Sequence, residues 1–121
     1  MTSRFTELCV DCHDPALLAE FWRQVLDYEV SEADDGGVWI ALNGPEGSGP
    51  SILFNKVPDE KVVKNRLHID VSPRDRDQSA EVDRILALGA RRIDIGQGEQ
   101  PWVVLADPEG NEFCVLRTQR P

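Results

Sequence analysis

Apolar and polar residues alternate from Phe5 to Cys12, with Leu8, Val10 and Cys12 on one face and Glu7, Cys9 and Asp11 on the other. That period of two predicts a half-buried strand. At Asp14-Pro15 the period changes. Aspartate caps a helix N-terminus well, and proline suits the first helical position. Leu17, Leu18, Phe21, Trp22, Val25 and Leu26 then fall on one helical stripe that ends near Asp27. A strand through Tyr28 and Val30 follows, then a turn at Asp34-Asp35-Gly36-Gly37. A strand from Trp39 to Leu42, a loop from Gly44 to Pro50 and a strand from Ser51 to Asn55 complete the set.

The segment from Val57 to Asn65 is charged, carries a proline and reads as a connector. Beyond it the pattern restarts. Arg66 to Val71 is predicted as a strand, with Leu67, Ile69 and Val71 facing a helix and His68 facing the other way. The helix spans about Asp77 to Leu88, with Val82, Ile85 and Leu86 inward and Gly89 as its stop. Arg91 to Ile95, Trp102 to Ala106 and Glu112 to Arg117 are predicted strands, separated by turns at Gly96-Gln97-Gly98 and Asp107 to Asn111.

The restart is visible residue by residue. Trp39-Ile-Ala-Leu-Asn-Gly-Pro-Glu-Gly47 matches Trp102-Val-Val-Leu-Ala-Asp-Pro-Glu-Gly110 at an offset of 63, and Glu7-Leu-Cys-Val matches His68-Ile-Asp-Val at 61. Leu26-Asp27 likewise matches Leu88-Gly89. The expected architecture is therefore α+β: one domain over 1–121, built from a βαβββ module at 5–56, a linker at 57–65 and a second βαβββ module at 66–118. Two copies are too few for a solenoid. Paired modules would form a curved sheet around a shared cleft, a natural place for a small ligand.

Charge narrows the choice of partner. Thirteen basic residues against 22 acidic give a net charge of −9, which argues against sequence-independent nucleic-acid binding and favours cationic ligands over anionic ones. No apolar run is long enough to span a membrane, and the start Met1-Thr2-Ser3-Arg4-Phe5 lacks the apolar stretch of a secretory signal. A cytoplasmic protein with reduced Cys9, Cys12 and Cys114 is expected. Cys9 and Cys12 have C-x-x-C spacing, but on a strand they point to opposite faces, which disfavours a shared metal.

The paired modules, the Asp14-Pro15 helix start, the Phe21-Trp22 pair and Asp107-Pro-Glu-Gly-Asn111 before the last strand resemble the vicinal oxygen chelate superfamily. That superfamily includes glyoxalase, bleomycin-resistance proteins, fosfomycin-resistance enzymes and extradiol dioxygenases. Lys64-Asn-Arg-Leu-His-Ile-Asp70 and Asn111-Glu-Phe-Cys-Val-Leu116 are similar to its small bacterial glyoxalase-like branch. The resemblance implies metal ligands on strands 1, 4, 5 and 8. Those positions carry Glu7, Leu53, His68 and Cys114 here, with Glu112 two residues early on the last strand. Leucine cannot ligate, so no complete metal site and no resident cofactor are expected; of the divalent metals, zinc would best accept Glu, His and Cys. Homodimers are implied by the resemblance as well.

His68 and Glu7 are the candidate catalytic residues, and His68, Glu7, Trp39, Trp102, Asp70 and Cys114 the candidate ligand-binding set. Imidazole titrates near neutral pH and suits proton transfer. The repeat-related Trp39 and Trp102 would wall a cavity for a flat or cationic compound. Asp11 and Asp70 share the His68-type face of their strands. Phe54 and Phe113 alternate with Leu53 and Cys114, and register decides which of each pair is inward. A metal-free protein that binds or sequesters a small molecule leads the possible functions. A metal-dependent lyase or isomerase using Glu7 and His68, a metal-free acid–base enzyme using the same pair, and an accessory domain that has lost its ligand stand beside it.

Overall fold

Among the described residues, two helices, each capped by an aspartate, organise the chain. In the computed structural model, which describes residues 2–42 and 49–117, Asp14 Oδ1 accepts the Leu17 N–H at 3.2 Å and Asp77 Oδ1 accepts the Ala80 N–H at 2.8 Å. Each bond satisfies a donor that the first helical turn leaves free. The helices they open are α1 (Pro15–Leu26) and α2 (Gln78–Leu88). Both end in the left-handed half of backbone space, at Asp27 (φ 58°) and Gly89 (φ 126°), so the paired Leu-Asp and Leu-Gly of the repeat are equivalent stops.

The chain divides into two compact units, Met1–Glu60 and Lys61–Pro121. In the first, β1 (Glu7–Cys12), β2 (Glu29–Ala33), β3 (Gly37–Ala41) and β4 (Ser51–Lys56) form a sheet of order β1-β4-β3-β2, with β1 and β4 parallel and the other pairs antiparallel. The second contains β5 (Asp70–Val71), β6 (Arg91–Arg92), β7 (Val103–Ala106) and β8 (Glu112–Val115) in the same order, β5-β8-β7-β6. Each unit is a βαβββ module. Among the described residues, no helix is long and apolar enough to cross a membrane.

In the first unit Leu18, Phe21, Trp22 and Val25 of α1 are buried, as are Ile40, Ile52 and Phe54 on the sheet. Phe21 and Trp22 meet edge to face at 5.3 Å, a favourable aromatic geometry. Leu17, expected in the stripe, is 53% exposed; at 100° per residue it lies about 90° from the centre of the 18/21/22/25 face. Val30 is exposed too, because β2 is an edge strand with a bulge between Val30 and Glu32. At the start of β3 a side chain is impossible: a Cβ on Gly37 would lie 2.8 Å from Leu53 Cδ1 and 2.9 Å from the Phe54 carbonyl. Asp34 Oδ1 accepts the Gly36 and Gly37 N–H groups and forms the predicted turn. The expected loop from Gly44 to Pro50 falls, over 44–48, outside the described residues.

In the second unit Val82 and Ile85 of α2 are buried with Leu105, Phe113 and Val115, whereas Leu86 is only half-buried. The strands predicted over Arg66 to Val71 and Arg91 to Ile95 are found only as the two-residue β5 and β6. The expectation that Leu67 faces the helix is wrong: Leu67 is 84% exposed. The reason lies in competing bonds. The Asn65 N–H goes to the Glu112 carboxylate at 3.0 Å and the Asn65 amide to Asn111 Oδ1 at 3.3 Å, so the chain joins the ladder only at Ile69, whose carbonyl accepts the Cys114 N–H. Likewise β6 stops at Arg92, because Asp94 Oδ1 and Gln97 Oε1 capture the Gly96 and Ile95 N–H groups. Local side-chain acceptors of this kind draw backbone donors out of strands.

Candidate functional site

Register decides which residues share the sheet face turned away from α2. Cys114 on β8 lies between Asp70 on β5 and Val104 on β7, and alternation places its neighbour Phe113 (1% exposed) on the helix side. The question left open by the phenylalanines is thereby answered: Phe54 and Phe113 are core, and Leu53 and Cys114 point to the other face. In the first unit the equivalent row is Cys9, Leu53 and Trp39. The ladder repeat and the letter repeat differ by two residues in the third strand, because Val104, and not Trp102, stands across from Cys114.

The turn before β8 is held firmly. Asp107 is 1% exposed. Its Oδ1 accepts the Glu109 and Asn111 N–H groups at 2.9 and 3.0 Å, and its Oδ2 accepts the Asn111 amide at 3.0 Å. Glu112, the next residue, is buried and bound to Lys61 Nζ at 2.6 Å and to the Asn65 N–H. Burial alone would push the Glu112 carboxyl up, but the bonds from Lys61 and Asn65 outweigh it and hold it below the usual glutamate value. Glu112 is therefore committed to a structural ion pair; the register shift that would have made it a ligand does not occur.

His68, two residues before the β5–β8 contact, shares the face of Asp70. His68 Nδ1 lies 3.0 Å from Asp70 Oδ1, and both side chains are about two-fifths exposed, at 41% and 44%. The donor atoms of His68, Asp70 and Cys114 all lie within 4.8 Å of one another. Cys114 is 7% exposed. Burial, then the Asp70 charge and the thiol's hydrogen bond to Asp70, push its thiol above the ordinary value, with Lys64 opposing. The trio lines a pocket of about 310 Å³ whose apolar wall includes Ile95, Trp102, Val104 and Leu116. A second recess of about 680 Å³ adjoins it, sharing Gln97, Trp102 and Val104.

Four candidate residues, His68, Asp70, Trp102 and Cys114, thus surround one pocket in the second unit. Glu7 lies in the first unit, exposed at the start of β1 opposite Ser51, and Trp39 is half-buried on β3. Asp11 is tied down by the Asn55 amide at 3.2 Å, and His13 by the Asp59 carbonyl. Cys9 is exposed and Cys12 buried, as opposite strand faces require. Sequence reasoning missed Lys64, Ile95, Gln97, Val104 and Leu116 as lining residues. Strand parity with Cys114 carried the signal for Leu116. No comparable signal existed for Ile95 and Gln97, which lie in irregular backbone.

Residues 7–116 match a family model described as a glyoxalase-like domain. No functionally curated protein matches the chain. Among solved structures, the chain is similar to a glyoxalase/bleomycin resistance protein/dioxygenase family enzyme from Burkholderia phytofirmans PsJN, with 17% identity, a TM-score of 0.67 and coverage of 93% of this chain and 97% of that one. It is also similar to the fosfomycin resistance protein FosX from Listeria monocytogenes, solved with Mn(II) and 1S,2S-dihydroxypropylphosphonic acid, at 16% identity and a TM-score of 0.72, covering 98% and 93%. FosX from Mesorhizobium loti gives 13% identity and a TM-score of 0.72, covering 99% and 95%. At these identities the likeness is one of fold. Within the trio His68, Asp70 and Cys114 the Asp70 carboxylate is the kind of oxygen donor manganese prefers, and the Cys114 thiol is not.

Proposed function

The chain belongs to the glyoxalase-like domain family, and on that premise we propose that it binds a small, partly apolar molecule on the open sheet face of its second module. One observation carries this reading: His68, Asp70 and Cys114, with Lys64, Gln97 and Glu112 beside them, line a pocket whose other walls, from Ile95, Trp102, Val104, Phe113 and Leu116, are apolar. Binding sites commonly combine a cavity of this size with a few convergent polar groups. Trp102 supplies a flat wall for stacking, and Asp70 an acceptor for a donor or cationic group. The net charge of −9 favours neutral and cationic compounds over anions.

The test is a titration of flat cationic and neutral compounds, read by quenching of tryptophan fluorescence and by thermal melting. A compound that binds wild type should lose at least tenfold in affinity with Trp102→Ala and with Asp70→Asn. Hits that bind both variants normally would place the ligand elsewhere and end this proposal.

A second reading rests on the His68–Asp70 pair. A carboxylate holding Nδ1–H leaves Nε2 as the free acceptor, the arrangement of a general base. In that reading His68 takes a proton from a ligand bound against Trp102, and Asp70 fixes the ring and stabilises the imidazolium. His68→Gln would then abolish turnover while leaving ligand affinity nearly intact; for a pure binder, no turnover exists to lose.

A further inference from the structure

We propose that the recess of about 680 Å³ in the second unit is a binding site for an elongated small-molecule oxyanion, such as a chain of phosphates, held between Arg92 and Arg117. Both arginines line that recess, together with Gln97, Gly98 and Trp102. The site is separate from the pocket around His68, with which it shares Gln97, Trp102 and Val104, and it takes a ligand of its own.

The fold brings the two arginines to either side of one strand. Arg92, the last residue of β6, pairs with Leu105 of β7. On the other flank of β7, Val103 pairs with Val115, the last residue of β8. The Leu116 N–H still reaches the Val71 carbonyl at 2.8 Å, so Arg117 follows in the same register, opposite Pro101. Arg92 and Arg117 are therefore in phase with Val103 and leave the sheet on one side, the side opposite to Cys114. Strand spacings of about 4.8 Å and a rise of about 3.4 Å per residue put their Cα atoms about 16 Å apart. Two long side chains can close on a ligand across that span, which suits an extended anion better than a single small one.

The distribution of charge permits such a site in an acidic protein. Residues 1–60 carry three basic and twelve acidic side chains, and residues 61–121 carry ten of each. The net charge of −9 thus resides in the first unit, and the second is neutral. Arg23, Arg76 and Arg84 are committed to glutamates, Arg23 to Glu20 and the other two to Glu81. Among the described residues, no carboxylate lies within ion-pair distance of Arg92 or Arg117, although Glu99 lines the same recess. Their guanidinium donors remain for a ligand, and a planar guanidinium matches a pair of phosphate oxygens. Gln97 adds an amide: its Oε1 accepts the Ile95 N–H at 2.8 Å, which leaves Nε2 to donate. At Gly98 (φ 64°) nothing lies within 4 Å of the place a Cβ would take, so the backbone there is open to an approaching oxyanion.

Full-length protein would be titrated with inorganic tripolyphosphate at low ionic strength and followed by calorimetry, with orthophosphate as the short comparison. Wild type should bind one equivalent of tripolyphosphate, at least about tenfold more tightly than orthophosphate, and the affinity should fall as salt is added. Arg92→Gln and Arg117→Gln should each weaken binding at least about tenfold. Arg74→Gln, which removes an exposed arginine outside the recess, should leave it unchanged. No binding at millimolar tripolyphosphate, or equal affinity for orthophosphate, would overturn the proposal. So would wild-type affinity in either recess variant, or an equal loss with Arg74→Gln, which would reveal a general attraction to basic surface. Arg92 and Arg117 are both exposed, and a thermal melt of each variant checks that the fold is intact. Tripolyphosphate has no flat or cationic part, so this site and the pocket reading can fail separately.

Discussion

Replacing Lys61 by methionine keeps most of the apolar stem but removes the ammonium that pairs with Glu112. The Glu112 side chain is 8% exposed and that of Lys61 25%, so water can replace the lost partner only in part. At 2.6 Å the bond is short and charge-assisted. Hydrogen bonds to charged groups contribute about 1.5–3 kcal/mol. The Asn65 N–H remains as a second donor to Glu112 and limits the damage, which makes about 2 kcal/mol the expected loss at pH 7. Urea unfolding would read this as a midpoint about 1 M lower, for a slope near 2 kcal/mol/M.

The pH dependence supplies an independent check. Glu112 is held below its ordinary value in the folded chain. Its contribution is therefore fully present above the unfolded glutamate pKa of about 4.3 and is lost as pH falls through the folded value. Lys61→Met removes much of what lowers it. The gap between wild type and variant should be widest near neutral pH and shrink below about pH 4. A loss under about 0.5 kcal/mol at pH 7 would refute the reasoning, since that is the range of an exposed pair. So would a gap that stays constant from pH 7 to pH 3.

Two further expectations follow from the turns. Asp107→Ala strips the acceptor from two backbone N–H groups and the Asn111 amide inside a buried turn, and should cost about 2–4 kcal/mol in urea unfolding; a loss below 1 kcal/mol would mean that water enters the turn freely. Asp27 holds a left-handed conformation that glycine adopts without strain. Asp27→Gly should therefore raise stability by about 0.5 kcal/mol while Gly89→Ala lowers it by about 1 kcal/mol, and equal signs for the two in thermal melting would contradict their equivalence as helix stops.

Much of the fold was legible because its cues are local. Asp14-Pro15 and Asp77 act through their own side chains within three residues, and Leu18, Phe21, Trp22 and Val25 need only the helical period to be recognised. The strands that misled, β5 and β6, are those whose backbone donors go to side-chain acceptors. Nothing in the alternation of Leu67, Ile69 and Val71 reveals that Asn65 will bind the Glu112 carboxylate, 47 residues away. Leu67 carries the right residue type in the right phase and is still left outside.

The candidate site was only half legible for a related reason. His68 and Cys114 could be placed on one face by parity, which is a local property. Their nearness to Asp70 is a property of register. Asp70 lies two residues from His68, on the same face but a full step along the strand, and a strand running from Arg66 would carry the two side chains upright and apart. Because β5 begins only at Asp70, His68 precedes the ladder, and its Nδ1 lies 3.0 Å from Asp70 Oδ1. The tie of Asn65 to Glu112 that defeats the long-strand prediction is thus one of the contacts that shape the His68–Asp70–Cys114 cluster. Weakening that tie by Glu112→Gln should loosen the cluster, even though Glu112 donates nothing to it.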